Sequence, residues 1–177
     1  MIILVDMDGV LADLEAEFFA RFQQTHGIDL STKRTEFYME HDWPEHVEEI
    51  HEIMSTPGLF YSLPPIVGGL NALEWMARSH DVFICTAPLL ENPTCVQDKV
   101  RWVEKYLGPE WTRRMIITKD KTLVHGDILI DDKINIQGVR IPTWHHVLFH
   151  APYNLDKEHA GERLHAWHQI EQLLERF

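Results

Sequence analysis

Residues 1–13 read Met-Ile-Ile-Leu-Val-Asp-Met-Asp-Gly-Val-Leu-Ala-Asp, and this stretch decides the fold. Ile2 to Val5 is an apolar run with no polar face, the pattern of a strand buried on both sides of a parallel sheet. It stops abruptly at Asp6, followed by Asp8 and Gly9. Two carboxylates one residue apart at a strand end can hold a hard cation through oxygen ligands. They can also divide labour between attack on an electrophile and proton transfer. Gly9 allows the positive φ of a tight strand-to-helix turn. Asp-x-Asp-Gly by itself also suits a plain turn that caps the next helix. The partners farther along the chain decide between the two.

Outward from that turn, residues 12–26 carry Leu14, Phe18, Phe19 and Phe22 at helical spacing, ended by His26 and Gly27. Residues 28–65 break the pattern. They hold no clear strand, a helical stretch at 46–54, and aromatics of their own: Phe37, Tyr38, Trp43, Phe60 and Tyr61. An insertion of this length in a compact domain is usually functional, for example a lid.

Alternation then begins. Helices are expected over 70–79, 94–107 and 156–177, and strands over 81–86, 115–118, 128–130 and 146–149. The 94–107 helix is read with Val96, Val100, Val103 and Leu107 on its apolar face. The last helix is read with Leu164, Trp167, Ile170, Leu174 and Phe177 on its apolar face. Short apolar strands alternating with helices predict a doubly wound α/β fold with a parallel sheet. The division expected is an α/β core of residues 1–26 and 66–177, with a small helical cap of residues 27–65.

The 177 residues suit one domain with a modest insertion. A net charge of −12 argues against a nucleic-acid polymer as partner, since no basic stripe exists to displace counterions. No apolar run is long enough for a membrane span, and strand residues start at Ile2, so no cleavable leader is read. Cys85 and Cys95 form no disulfide framework, which points to a reduced, cytoplasmic protein. Twelve histidines invite a zinc reading, but no His-Glu-x-x-His and no ligand-spaced cysteine pair occur. His165 and His168, three apart on the expected last helix, read as exposed.

Ligands of an open parallel sheet sit beyond the carboxyl ends of its strands. Asp6 and Asp8 follow the first strand, Thr86 and Ala87 the second, Lys119, Asp120 and Lys121 the third, and Asp131 and Asp132 the fourth. Singly, each has a plainer reading: Thr86 a strand end or helix cap, the lysines solvated charges, Asp131-Asp132 a turn. Together they form the set a metal-assisted phosphoryl-transfer site needs. Gathered carboxylates require a divalent cation and a lysine to stay ionised, and Mg²⁺ suits an all-oxygen site.

Asp6-Met-Asp8-Gly9-Val, Thr86, a lysine before the fourth strand and Asp131-Asp132 after it resemble the four motifs of the haloacid-dehalogenase-like phosphohydrolases. Residues 6–13, 84–88, 120–122, 129–132 and 144–149 resemble, more narrowly, the 5'(3')-deoxyribonucleotidases, and the similarity runs to Asn154. The resemblance implies Asp6 as nucleophile and Asp8 as acid and base. It implies Mg²⁺ held by Asp6, the Asp8 carbonyl and the Asp131-Asp132 pair, with Asp132 the first choice as direct ligand. It also implies phosphate bound by Thr86, Lys121 and Lys119, and Phe60, Tyr61 or Trp43 of the cap stacking on a base. Where those enzymes are expected to have Thr-Ser-Pro, this chain has Thr86-Ala87-Pro88, so a backbone N–H near Ala87, or water, must supply one phosphate contact.

The expected activity is removal of phosphate from (deoxy)ribonucleoside monophosphates, and a homodimer would be unsurprising. The alternatives are another small phosphomonoester as substrate, a receiver-like signalling domain, or a nucleotide-binding protein without turnover.

Overall fold

Ile2–Val5 (β1) lies in the middle of the sheet, which is why it carries no polar residue. The computed structural model describes residues 1–31 and 34–177. From β1 the chain passes through Leu14–His26 (α1), Met39–Asp42 (α2), Val47–Met54 (α3), Leu59–Ser62 (α4) and Gly69–Met76 (α5). Then follow Asp81–Thr86 (β2), Cys95–Leu107 (α6), Pro109–Thr112 (α7), Met115–Ile117 (β3), Ile128–Asp131 (β4), His145–Phe149 (β5), Arg163–Leu164 (β6) and Ile170–Leu174 (α8).

The strand order is β3-β2-β1-β4-β5-β6, every pairing parallel. The order runs outward from β1 to both edges, so β1 and β4 flank the switch point where such sheets bind ligands. Ile3, Val5, Val82, Ile84, Ile128, Ile130 and Val147 belong to the main core with Leu73, Met76, Trp102, Val103, Leu173 and Leu174. Leu4, Cys85 and Leu129, on the alternate residues, pack with Trp144 in a smaller cluster.

A tight turn leaves β1. The Met7 carbonyl accepts from the N–H groups of Val10, Leu11 and Ala12, and the Gly9 N–H donates to the Ala12 carbonyl. Gly9 holds φ +75° there. The outgoing chain then meets the returning one: the Asp13 N–H donates to the Pro64 carbonyl, the Ile66 N–H to Leu11, and Ala12 pairs with Pro65. Phe18 and Phe22 of α1 pack with Leu30, Met39, Trp43, Ile50 and Ile53 in a cluster apart from the main core. Phe18 and Phe22 thus tie α1 to the inserted residues, while Leu14 at its start packs against the main core.

Three expectations need correction. The stretch 156–177 is not one long helix. Arg163–Leu164 extends the sheet by pairing with Leu148 and Phe149, a 3-10 turn spans Trp167–Gln169, and only Ile170–Leu174 is α-helical. Leu164, Trp167 and Ile170 meet the helical period, but strand pairing at the sheet edge holds the first of them. His165 therefore follows a strand rather than sitting on a helix. On α6 the expected face is right in part: Val103 is buried and Leu107 packs against the main core, but Val96 is exposed, and the other buried residues are Cys95, Asp98, Lys99 and Trp102. Among the described residues no helix is long and apolar enough to cross a membrane.

Candidate active site

The ends of β1, β2 and β4 deliver Asp6, Thr86, Asp131 and Asp132 to one edge of the sheet. Asp6, Asp131 and Asp132 each place a carboxylate oxygen within 4.8 Å of the others. Lys121, in the 3-10 turn Lys121–Leu123 and nearly buried, lies between two of them. Its Nζ is 2.8 Å from Asp6 Oδ1 and 2.5 Å from Asp131 Oδ2. Burial alone would lower its pKa, but the Asp131 and Asp6 carboxylates hold it above the ordinary lysine value.

That one cation does not balance the three acids. Burial raises the pKa of Asp6 despite the pull of Lys121. Burial also pushes Asp132 well above the carboxylate range, with Asp131 and Asp6 adding repulsion. A second positive charge in this all-oxygen cluster would relieve both, so the donor set fits a hard divalent ion. Both oxygens of Asp131 are engaged, one by Lys121 and one by the Lys133 N–H. One oxygen of Asp132 accepts from the Tyr153 hydroxyl, and Asn154 donates to the Asp132 carbonyl. Its other carboxylate oxygen has no partner among the described residues.

Asp8 sits on the opposite side of the turn. Its Oδ2 accepts from Lys99 Nζ at 2.6 Å, and its Oδ1 is buried without a hydrogen-bond partner among the described residues. Burial raises its pKa against the pull of Lys99. Lys99 also donates to Thr86 Oγ1 at 2.7 Å. This lysine was not among the candidates read from the sequence. The available signal was a charge on the stripe that α6 buries.

A cavity of about 550 Å³ opens from Asp6, Asp8, Thr86, Ala87, Lys119 and Asp132 toward the inserted residues. That is within the range of small-molecule sites. Its far wall includes Phe37, Tyr38, Ile50, Met54 and Phe60. Lys119 Nζ donates to the Pro88 carbonyl at the rim. Of the three aromatics proposed for stacking, Phe60 lines the cavity, but Trp43 and Tyr61 do not. Trp43 is buried edge-on against Phe19 inside the insertion's own cluster. Tyr61 lies beneath Arg101 and Lys105 of α6. Phe37 and Tyr38 occupy the cavity wall instead, and Lys133 lies over both rings. Arg34 pairs with Asp42 inside the insertion, bridges the insertion to Glu15 of α1 and stacks on Tyr153, the residue that contacts Asp132.

Residues 1–177 match the family described as "5' nucleotidase, deoxy (Pyrimidine), cytosolic type C protein". The human protein "5'(3')-deoxyribonucleotidase, cytosolic type" is 43% identical over 163 residues, covering 86% of this chain and 81% of its own. The human "5'(3')-deoxyribonucleotidase, mitochondrial" is 39% identical over 178 residues, covering 93% and 78%. Among solved structures, a haloacid dehalogenase-like hydrolase from Xanthomonas campestris superposes with TM-score 0.57 at 12% identity, covering 99% of this chain and 95% of that one. A HAD-hydrolase from Bacillus subtilis, solved bound to magnesium, gives TM-score 0.57 at 10% identity over 98% and 97%. Those two likenesses show the fold. The family match over residues 1–177 and the relatives at 39–43% identity show the family: this protein belongs to the type C 5'-nucleotidases, together with the 5'(3')-deoxyribonucleotidases.

Proposed function

We propose that this protein is a Mg²⁺-dependent phosphomonoesterase that removes phosphate from deoxyribonucleoside and ribonucleoside monophosphates. One observation carries the reading. Asp6 and Asp132 of the acidic cluster, with Asp8 and Thr86, border a single cavity whose other wall is built from Phe37, Tyr38 and Phe60 of the insertion. A phosphate at the sheet edge and an aromatic base against the insertion would occupy the two ends of that space. Stacking of this kind is worth ~1–3 kcal/mol per base.

The family resemblance suggests the residue roles, and the geometry is consistent with them. Asp6 Oδ1 is held by the Met7 N–H and Lys121, so Oδ2 is the oxygen left to attack phosphorus. The aspartyl-phosphate forms on Asp6 as the bond from phosphorus to the nucleoside oxygen breaks. Asp8, which lines the cavity, gives the leaving oxygen its proton, then takes one from the water that hydrolyses the intermediate. Thr86 and the backbone near Ala87 hold phosphate oxygens, with Lys119 at the rim. Asp6, the Asp8 carbonyl and Asp132 would hold the metal. A Mg²⁺ ion held there would supply charge neutralisation for the phosphate. Lys121 bridges Asp6 and Asp131 and holds them in place.

The reading extends to the cap and the compartment. We take residues 27–65 as the lid, together with α1, whose Phe18 and Phe22 it shares. Both cysteines are free and buried, which suits the cytoplasm. One human relative is named the cytosolic type and another the mitochondrial.

The test is phosphate release from a panel of deoxyribonucleoside and ribonucleoside 5'- and 3'-monophosphates and sugar phosphates, with Mg²⁺ or with a chelator. Release that requires Mg²⁺, favours nucleotides and disappears in Asp6→Asn supports the reading. Release confined to sugar phosphates removes the substrate assignment.

A further inference from the structure

Lys99 is a fully buried ammonium, an arrangement that is costly unless every proton has a use. Its Nζ donates to Asp8 Oδ2 at 2.6 Å and to Thr86 Oγ1 at 2.7 Å, and it lies 5.4 Å from the centre of the Phe60 ring. An ammonium only donates, so each of those oxygens must accept. For Thr86 this decides the direction of its hydroxyl. The oxygen accepts from Lys99, and its one O–H is left to point into the cavity that Thr86 lines. For Asp8 it fixes the carboxyl group by one oxygen. Oδ2 is occupied, and Oδ1 is buried with no partner among the described residues.

We propose that Lys99 is a positioning residue that sets the proton directions of the site. It turns Thr86 into a donor toward the phosphoryl group and holds the Asp8 carboxyl group at the cavity wall, where it passes the proton to the leaving oxygen. The inference rests on the phosphatase reading above. In the step concerned, Asp6 bonds to phosphorus, the phosphorus–oxygen bond to the leaving group breaks, and that oxygen takes the proton from Asp8. Lys99 touches no reacting atom and acts through Asp8 and Thr86.

The test compares kcat/KM for a nucleoside monophosphate with that for p-nitrophenyl phosphate, in wild type, Lys99→Met and Lys99→Gln. The nucleoside oxygen needs a proton to leave, whereas p-nitrophenolate does not. General-acid contributions run to about 10²–10⁴-fold. Lys99→Met is expected to lose about 100-fold or more on the nucleotide and roughly 10-fold or less on the aryl ester, the smaller loss coming through Thr86. Inorganic phosphate should inhibit it correspondingly less well. Lys99→Gln removes the charge but keeps an N–H donor, and should fall between. It carries the comparison alone should Lys99→Met fail to fold. Equal losses on both substrates, in a folded variant, would mean Lys99 is only structural and would overturn the inference. A wild type that releases no phosphate from the nucleotide would overturn the phosphatase reading, and this inference with it.

Discussion

Replacing Gly9 by alanine tests the geometry of the site with a single methyl group. At φ +75° an L-residue costs ~1–2 kcal/mol in backbone strain. The added Cβ would also stand 2.6 Å from Asp132 Oδ2 and 2.9 Å from the Tyr153 hydroxyl. Both neighbours are buried and bonded to each other, so neither can retreat freely. Forcing atoms into a packed site costs a further ~1–3 kcal/mol. Gly27 supplies the control: its φ is +71°, and a Cβ there meets nothing within 4 Å. Gly27→Ala should therefore lose only the backbone part. Gly9→Ala should lose about 3 kcal/mol, which for a chain of this size lowers Tm by roughly 6–12 °C. Because Asp132 is displaced, Gly9→Ala should also weaken Mg²⁺ binding, while Gly27→Ala leaves it unchanged. Thermal unfolding with and without Mg²⁺, and a calorimetric titration of the metal, read both quantities. Equal destabilisation by the two variants, with equal metal affinity, would refute the placement of Asp132 against Gly9.

Four further outcomes are expected. Lys121→Met leaves Asp6 and Asp131 facing each other without their cation, and should cost ~3–5 kcal/mol in metal-free protein, with Mg²⁺ restoring part of it in a melting assay. Tyr153→Phe removes the hydrogen bond to Asp132 and should weaken Mg²⁺ about 10-fold by titration, with little change in fold by circular dichroism. Thr86→Val takes one acceptor from buried Lys99, so it should cost ~1–3 kcal/mol of stability and raise KM and the inhibition constant of inorganic phosphate together. His146 is held down to about 4 by burial and by His159, against an ordinary value of 6.5. The unfolded chain thus binds the extra proton first. Stability from this residue is full above pH 6.5 and is lost as pH falls toward 4, so His146→Gln should flatten that part of a urea-midpoint-against-pH curve.

The sheet was legible because a strand buried on both faces must be apolar throughout. Ile2 to Val5, Val82 to Cys85 and Ile128 to Ile130 have no other use for that pattern. The site edge was legible for a related reason. Asp6 and Asp131-Asp132 interrupt apolar runs at their carboxyl ends, where a carboxylate has no packing value. What stayed hidden depends on distant partners. Leu164 meets a helical period, but its place comes from pairing with Phe149, fifteen positions earlier. Lys99 was hidden by the apolar pattern of α6: Val96 and Val100 look like the inner face until Cys95, Asp98 and Trp102 are seen buried. The wall of the cavity was hidden because aromatic residues of an insertion look alike in sequence. Trp43 went to that insertion's own core, and Phe37 and Tyr38 to the cavity.

The central claim is that Asp6 carries the phosphoryl group on its way from nucleotide to water. The direct measurement is a rapid quench of the Mg²⁺-loaded enzyme during turnover of a deoxynucleoside monophosphate, with borohydride reduction of any acyl phosphate and peptide mass spectrometry. The account predicts reduction of Asp6 to homoserine, absent without substrate and absent in Asp6→Asn. Turnover with Asp6 unmodified, or with the label on another carboxylate, would contradict it.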